Sequence, residues 1–276
     1  LNLGNVRTTI KTGLNSTLNV RDVERQEGMQ YMIVGADGIV NSGDNDRPLH
    51  WVESRFQSDW GFGGNANGLP VFDRFALAKY YASNPGHFTA NTAQHLQTRL
   101  QNSWDFKEQI DGAYLQSIFT FGKLDLSPGV RFERTESWGK GLKDIGDAAA
   151  RRAVNPSSPA TVSATSDAYL YARYGGRLTS DSDYDTTLAY LHGTYRIHDN
   201  LMVRASYHDA ITRADIANLI PGISNVNEST FTLTTTNPDL KPETSKNYNL
   251  SLEYYFEPVG QITVGWFKSE IKDLQR

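Results

Sequence analysis

The sequence predicts an all-β protein, an antiparallel up-and-down sheet whose strands are long enough to cross an outer membrane. Three observations predict it: long segments that alternate between apolar and polar residues, connections that alternate between very short and very long, and many aromatic residues in a hydrophilic chain. Aromatic residues make up 11% of the sequence, although only 38% of it is hydrophobic and its mean hydropathy is -0.51. Outer-membrane barrels collect such rings at both lipid interfaces.

Seven segments alternate with a period of two residues, which places successive side chains on opposite faces of a strand. In the clearest segment, residues 6–21, the even positions are apolar or small and the odd positions are polar. The other predicted strands are 112–121, 124–135, 187–197, 201–212, 246–256 and 260–272. A tilted strand crosses a bilayer with about 9–11 residues, so these segments are long enough to do so.

The connections between these segments differ in length in a regular way. Short turns are predicted at 122–123, 198–200 and 257–259, and long polar stretches at 22–107, 138–184 and 213–245. Gly122 opens a two-residue connection and suits a type II′ hairpin turn. Short turns at one end and long loops at the other are typical of an outer-membrane barrel, with the turns periplasmic and the loops extracellular.

The long loops contain some helical pattern of their own. Residues 73–83 predict a helix, and residues 89–102 predict a second one with Thr89 as its N-cap. Residues 147–168 are rich in Ala, Ser, Thr and Pro and predict a mobile loop.

The composition excludes several other classes of protein. The chain has no run of 18 apolar residues, which excludes a transmembrane helix, and no cysteine, which excludes disulfides and thiol catalysis. Its net charge of -4 is unsuited to neutralising phosphates, so we expect no nucleic-acid partner. We also expect no enzymatic activity, no catalytic residues and no cofactor, because neither a Gly-x-Ser-x-Gly elbow nor a carboxylate pair with glycosidase spacing is recognisable.

Two loop motifs remain weak as ligand sites. The acidic stretch at 37–46 offers oxygen ligands for calcium but lacks the spacing of an EF-hand, so we favour a solvated turn and predict no metal site. The glycine-rich stretch at 61–66 matches a dinucleotide pattern without the βαβ unit that such a site needs, which favours a flexible loop.

Several segments resemble one family of membrane proteins. Residues 237–256, which begin Asn-Pro-Asp-Leu-Lys-Pro-Glu and continue as an alternating strand, resemble a signature of TonB-dependent outer-membrane receptors. Residues 113–116 with 129–135 resemble a barrel hairpin of that family, and residues 200–207 resemble the strand before its Arg-Pro step. Here Arg213 is followed by Ala214 instead of proline. The resemblance covers most of residues 70–276.

The resemblance implies more than the residues do alone. It implies about seven strands of a 22-stranded barrel, with residues 1–276 forming part of the barrel domain and the N-terminal plug and the last strands lying outside them. It implies a receptor in the outer membrane of a Gram-negative bacterium that imports a scarce solute, either a carbohydrate or a siderophore-like molecule. Its partners would be outer-membrane lipid, the solute, and the TonB complex acting through the plug. The alternatives are a passive porin-like channel and a soluble secreted β-sheet enzyme or lectin.

Two groups of residues are candidates for binding the solute. The first group consists of tryptophans in the predicted loops, because exposed rings offer a platform for sugar rings or planar chelates; these are Trp51, Trp60, Trp104 and Trp138. The second group consists of charged or polar residues on the polar strand faces, which would line a lumen; these are Arg131, Glu133, Arg204 and His208.

Overall fold

The computed structural model describes residues 2–3, 6–24, 30–40, 42–43, 52–58 and 69–274. The strands in chain order are β1 (Asn2–Leu3), β2 (Val6–Val23), β3 (Tyr31–Ile33), β4 (Val52–Ser58), β5 (Leu69–Phe72), β6 (Phe88–Ala90), β7 (Trp104–Phe121), β8 (Leu124–Leu142), β9 (Arg177–His198), β10 (Leu201–Thr212), β11 (Ile223–Asn227), β12 (Thr232–Thr235), β13 (Glu243–Phe256) and β14 (Gly260–Lys272). The helices are α1 (Arg74–Ser83), α2 (Thr92–Asn102), α3 (Asp147–Val154), α4 (Asp167–Tyr174) and α5 (Ile216–Leu219).

One antiparallel sheet contains all seven predicted strands. Its order is β1-β2-β7-β8-β9-β10-β13-β14, so consecutive long strands lie side by side as in an up-and-down barrel. The short strand β1 is an addition to the prediction. Within the described residues the sheet is not closed, and β1 and β14 form its two edges. The remaining pairs, β3 with β6, β4 with β5 and β11 with β12, are small two-stranded sheets in the long connections.

Three strands are at least seven residues longer than the sequence predicted. β7 begins at Trp104 instead of residue 112, β8 continues to Leu142 instead of residue 135, and β9 begins at Arg177 instead of residue 187. In these extensions Asp105 lies opposite Lys140, and Trp138 lies opposite Asp181. Because polar residues occupy both faces there, the extensions carry no apolar alternation, although the backbone ladder continues.

The short turns lie where they were predicted. Gly122 has a φ of 58°, as the first central residue of a type II′ turn requires. β9 and β10 are joined by two residues, Asp199 and Asn200, instead of three, and the register between the two strands shifts at Leu201. Residues 257–259 connect β13 to β14. All three turns lie at the same end of the sheet.

The register separates the sheet into an apolar face and a polar face. Leu250 lies opposite Ala205 on one side and Trp266 on the other, and Leu115 lies opposite Val130, which places these residues on the apolar face. The polar face carries the side chains of the intervening positions, including Arg131, Glu133, Arg204 and His208. On β8 the apolar face runs from Leu124 to Phe132 and then becomes charged at Arg134 and Glu136. The apolar band therefore ends before the strands do.

A small hydrophobic core lies in the long connections. The helices α2, α3 and α4 pack together there and bury Leu96, Leu100, Ala150, Val162, Tyr169, Leu170 and Tyr174. The prediction of a mobile loop over 147–168 is therefore wrong, because this stretch contains α3 and contributes two residues to the core. The helix predicted over 73–83 is confirmed as α1. α2 begins later than predicted: its N-cap is Asn91, whose side chain accepts a bond from the Gln94 amide, and Thr89 lies in β6.

Among the described residues, no helix combines the length and the apolar content that crossing a membrane requires.

Candidate functional site

Of the four predicted tryptophans, the structure describes two, which lie on opposite faces of the sheet. Trp51 and Trp60 lie outside the described residues. Trp104 and Trp138 lie in β7 and β8, so the prediction that they belong to loops is wrong, because both strands extend into the predicted loop regions. Trp138 is on the apolar face. Trp104, at the first position of β7, lines a cavity described below.

The structure brings Arg131 and Glu133 together on the polar face. The Arg131 Nε lies 2.6 Å from Oε1 of Glu133, and Arg213 places its Nη2 2.7 Å from Oε2 of the same carboxylate. Arg131 Nη2 also donates to Asn15 Oδ1 at 2.9 Å. The Glu133 side chain is only 8% exposed, and two guanidinium groups compensate its charge. This cluster links β2, β8 and the residue that follows β10.

Arg204 and His208 lie elsewhere on the same face. Arg204 pairs with Glu253 at 3.0 Å, and the hydroxyl of Tyr255 donates to the same carboxylate at 2.8 Å. His208 lies opposite Tyr190 of β9 and Asn247 of β13. The four predicted polar-face residues thus share a face, but only Arg131 and Glu133 are in contact with each other.

An inner loop, residues 213–242, folds over the polar face. Ile220 and Pro221 are buried, and they lie against Gly139 and Gly141 of β8. A Cβ at Gly139 would come within 2.7 Å of Pro221 Cδ, and one at Gly141 would overlap the Pro221 carbonyl oxygen. Because glycine has no side chain, the inner loop can lie directly on the strand at these two positions.

Further bonds connect the inner loop to the region around α3. The Asp144 amide donates to the Ile223 carbonyl at 3.2 Å, and the Ala148 amide, in the first turn of α3, donates to Glu228 Oε1 at 2.8 Å. Within the loop, the Thr236 hydroxyl donates to the Ile220 carbonyl at 2.6 Å. The inner loop is thus held at several points along its length.

A cavity of about 300 Å³ lies between the inner loop and the junction of α2 with β7. We call it the loop cavity. Arg21, Gln101 and Trp104 line it from the sheet and α2. Asp215, Ile220 and Pro221 are among the residues that line it from the inner loop. Sequence reasoning identified Trp104 as a candidate but missed the inner-loop residues. The one sequence signal for them is a pair of glycines two residues apart on one face of a strand, which indicates close approach of another segment.

An ionic network holds the helices beside this cavity. Arg173 donates to Asp144 at 3.0 and 3.3 Å, and it also donates to the Tyr169 hydroxyl at 2.8 Å. That hydroxyl donates to Asp147, which also accepts a bond from Arg151. The hydrogen bonds from Arg151 and Tyr169 lower the pKa of Asp147 below its usual range.

Burial opposes hydrogen bonding in setting the pKa of Arg173, whereas at Tyr169 burial and the bond to Asp147 shift the pKa in the same direction. Burial alone would lower the pKa of Arg173, yet its hydrogen bonds to Asp144 and Tyr169 raise it above its usual value. Burial, assisted by the bond to Asp147, raises the pKa of the Tyr169 phenol. At neutral pH the Asp147 carboxylate and the Arg173 guanidinium are therefore charged, and the Tyr169 phenol is neutral.

The described part of the chain contains no cluster of three or more His, Cys, Asp or Glu side chains that could hold a metal ion. In the stretch predicted as a solvated acidic turn, Asp37 accepts a bond from the Ile39 amide at 2.8 Å, and residues 44–46 lie outside the described residues.

Comparison with known proteins supplies the family. The chain matches a model of the family described as "TonB dependent receptor-like, beta-barrel" over residues 2–276. The sequence matches no functionally curated protein. It is similar in structure to the siderophore receptor PiuA of Acinetobacter baumannii, with 12% identity and a TM-score of 0.46 over 97% of this chain. It is also similar to the ferric-catecholate import receptor Fiu of E. coli K12, with 11% identity and a TM-score of 0.49 over 98% of this chain. The chain spans 29% of the length of each of these two receptors. Since the family match covers nearly every residue, the chain belongs to the TonB-dependent receptor-like β-barrel family.

Proposed function

We propose that the intact protein is an active importer in the outer membrane of a Gram-negative bacterium. It captures a scarce solute, a carbohydrate or a siderophore-like molecule, at the cell surface and uses energy from the TonB complex to move it inward. The family match carries this proposal. Transport of this kind needs a solute site and a pathway and requires no catalytic group in the barrel.

The two faces of the sheet support a role in a lipid bilayer. Leu14 is 86% exposed and Val264 67% exposed on the apolar face, which has no protein layer over it among the described residues. Contiguous exposed apolar surface of this kind marks a membrane or protein interface. The polar face, with its ion pairs, is suited to a water-filled lumen.

The loops support capture at the extracellular end. The helices α2, α3 and α4 and the inner loop lie at the end of the strands opposite the three short turns. Of these elements, α2 and the inner loop line the loop cavity together with β2, β7 and β8. A folded set of loops above a polar wall suits a receptor that binds its solute before passage.

Two measurements test the proposal in cells that express the intact protein. Membrane fractionation should find it with the outer membrane, and its recovery in the medium would support the secreted enzyme or lectin instead. Uptake of neutral oligosaccharides and of ferric catecholates should then be compared in strains with and without TonB. Uptake through this protein should require TonB. Equal uptake in both strains would contradict active import and support the porin-like channel.

A further inference from the structure

We propose that the loop cavity binds a neutral, hydroxyl-rich ring, which makes a carbohydrate the solute of this receptor. The inference rests on the proposed import function and chooses between the two solute classes that it leaves open. It depends on the charges, hydrogen-bonding groups and size of the cavity.

The loop cavity is lined by one positive and one negative side chain, whose charges cancel. They are Arg21, from the end of β2, and Asp215, from the inner loop. Within the described residues the Arg21 side chain makes no hydrogen bond or ion pair. Asp215 uses one carboxylate oxygen, Oδ1, to accept a bond from the Ala217 amide at 3.1 Å. A ligand with several negative charges would gain from Arg21 but would meet the carboxylate of Asp215. A neutral ligand avoids this repulsion.

A sugar hydroxyl satisfies both kinds of group, because it donates one hydrogen bond and accepts others. The second oxygen of Asp215 offers an acceptor. Arg21 and the amide nitrogen of Gln101 offer donors, since the bond from Gln97 occupies only the oxygen of the Gln101 side chain. A cavity that presents unpaired donors and acceptors together favours a polyol over a ferric chelate, whose metal-bound oxygens only accept hydrogen bonds.

The remaining walls are apolar and suit the flat side of a ring. Trp104 contributes an aromatic side chain, and Ile216, Ile220 and Pro221 contribute aliphatic surface from the inner loop. Small-molecule sites combine such walls with a few placed polar groups. The volume of about 300 Å³ is at the lower end of the range for ligand pockets, so it suits one ring of a larger solute.

The test is equilibrium binding to the purified intact receptor in detergent, which does not depend on TonB. The probes are a panel of neutral plant and bacterial oligosaccharides and a panel of ferric catecholates and ferric hydroxamates. We expect at least one oligosaccharide to bind, and we expect Trp104→Ala to weaken that binding about tenfold or more.

The decisive variant is Asp215→Asn. Asparagine keeps the N-cap of α5 and nearly the same shape but removes the charge and one strong acceptor. Oligosaccharide affinity should fall about tenfold or more. The matched control, Asp199→Asn in the turn at the opposite end of the sheet, should leave it unchanged.

Three outcomes would overturn the inference. The first is a panel in which only the ferric chelates bind. The second is oligosaccharide binding that neither Trp104→Ala nor Asp215→Asn weakens. The third is chelate binding that Asp215→Asn strengthens, which would show that the site accepts an anion. Each outcome is independent of TonB-dependent uptake, so failure here and failure of the import proposal are distinguishable.

Discussion

Replacing Asp144 by asparagine should loosen the helices that lie beside the loop cavity. The Asp144 side chain is 3% exposed and that of Arg173 is 19% exposed, so this ion pair is shielded from water. Asp144 accepts two bonds from Arg173 and one from the Gly146 amide at 2.8 Å. Asparagine keeps the shape, but its amide group turns N–H donors toward a guanidinium that has only donors.

The expected cost follows from this geometry. Removing one partner of a buried ion pair costs about 3–5 kcal/mol, because the other charge stays buried without compensation. Arg173 keeps its bond to the Tyr169 hydroxyl and some contact with water, so the lower end of that range, about 3 kcal/mol, applies. Since 1.4 kcal/mol is a factor of ten, local opening of α3 and α4 should increase by about two orders of magnitude.

Amide hydrogen exchange of the intact receptor, resolved by mass spectrometry, measures this opening. Protection in α3 and α4 should fall in Asp144→Asn and stay high in β13 and β14. The matched control is Asp183→Asn, which breaks an ion pair with Arg134 whose two side chains are 63% and 54% exposed. That control should leave protection unchanged, since water screens exposed pairs. Unchanged protection in Asp144→Asn, or an equal loss in both variants, would refute the reasoning.

Three further predictions test the inner loop, the ionic network and the orientation of the sheet. Gly141→Val should release the inner loop at a cost of about 1–3 kcal/mol and raise hydrogen exchange at 213–236, whereas Gly265→Val, whose Cβ would have no neighbour closer than 3.9 Å, should not. Because the pKa of Asp147 is lowered in the folded protein, its stabilising effect is present above the unfolded value of about 3.9 and is lost as the pH falls through the folded value. Protection of α3, corrected for intrinsic exchange, should therefore fall in acid, and Asp147→Asn should abolish that dependence. Leu250→Arg on the apolar face should destabilise the folded barrel in lipid by about 2–4 kcal/mol, as measured by a denaturant titration. The control is Asn249→Arg on the polar face, and equal effects of the two variants would contradict the assignment of the faces.

The sequence predicts the membrane-crossing part of the strands well because two different environments act on alternate residues there. Lipid selects apolar side chains on one face and water selects polar ones on the other, so the period of two is visible in segments such as 246–256. Beyond the apolar band both faces of a strand meet water, and this selection disappears. Residues such as Asp105 and Lys140 then pair across the ladder without any periodic signal, which is why β7, β8 and β9 were predicted too short.

The candidate site was predicted only in part because it depends on contacts between distant segments. The pair of Arg131 and Glu133 follows from alternation within β8, whereas the pairing of Glu133 with Arg213 depends on how the end of β10 turns back. The helix core was missed because small residues hide its pattern. Ala150, which is fully buried, gives no hydrophobic signal in a stretch rich in alanine and serine.

The distribution of buried residues implies that the sheet and the long connections have separate sources of stability. The hydrophobic core lies in the long connections, while large apolar side chains of the sheet, such as Leu14, remain exposed on the apolar face. The sheet therefore depends on lipid and on neighbouring strands for its stability, whereas the helices and the inner loop are stabilised by their own packing and ion pairs. It follows that Leu250→Arg should impair assembly without changing the affinity of the molecules that do fold. Asp144→Asn should leave assembly intact and change the affinity. The reason is that α2 carries Gln101 at its end and packs against the same core.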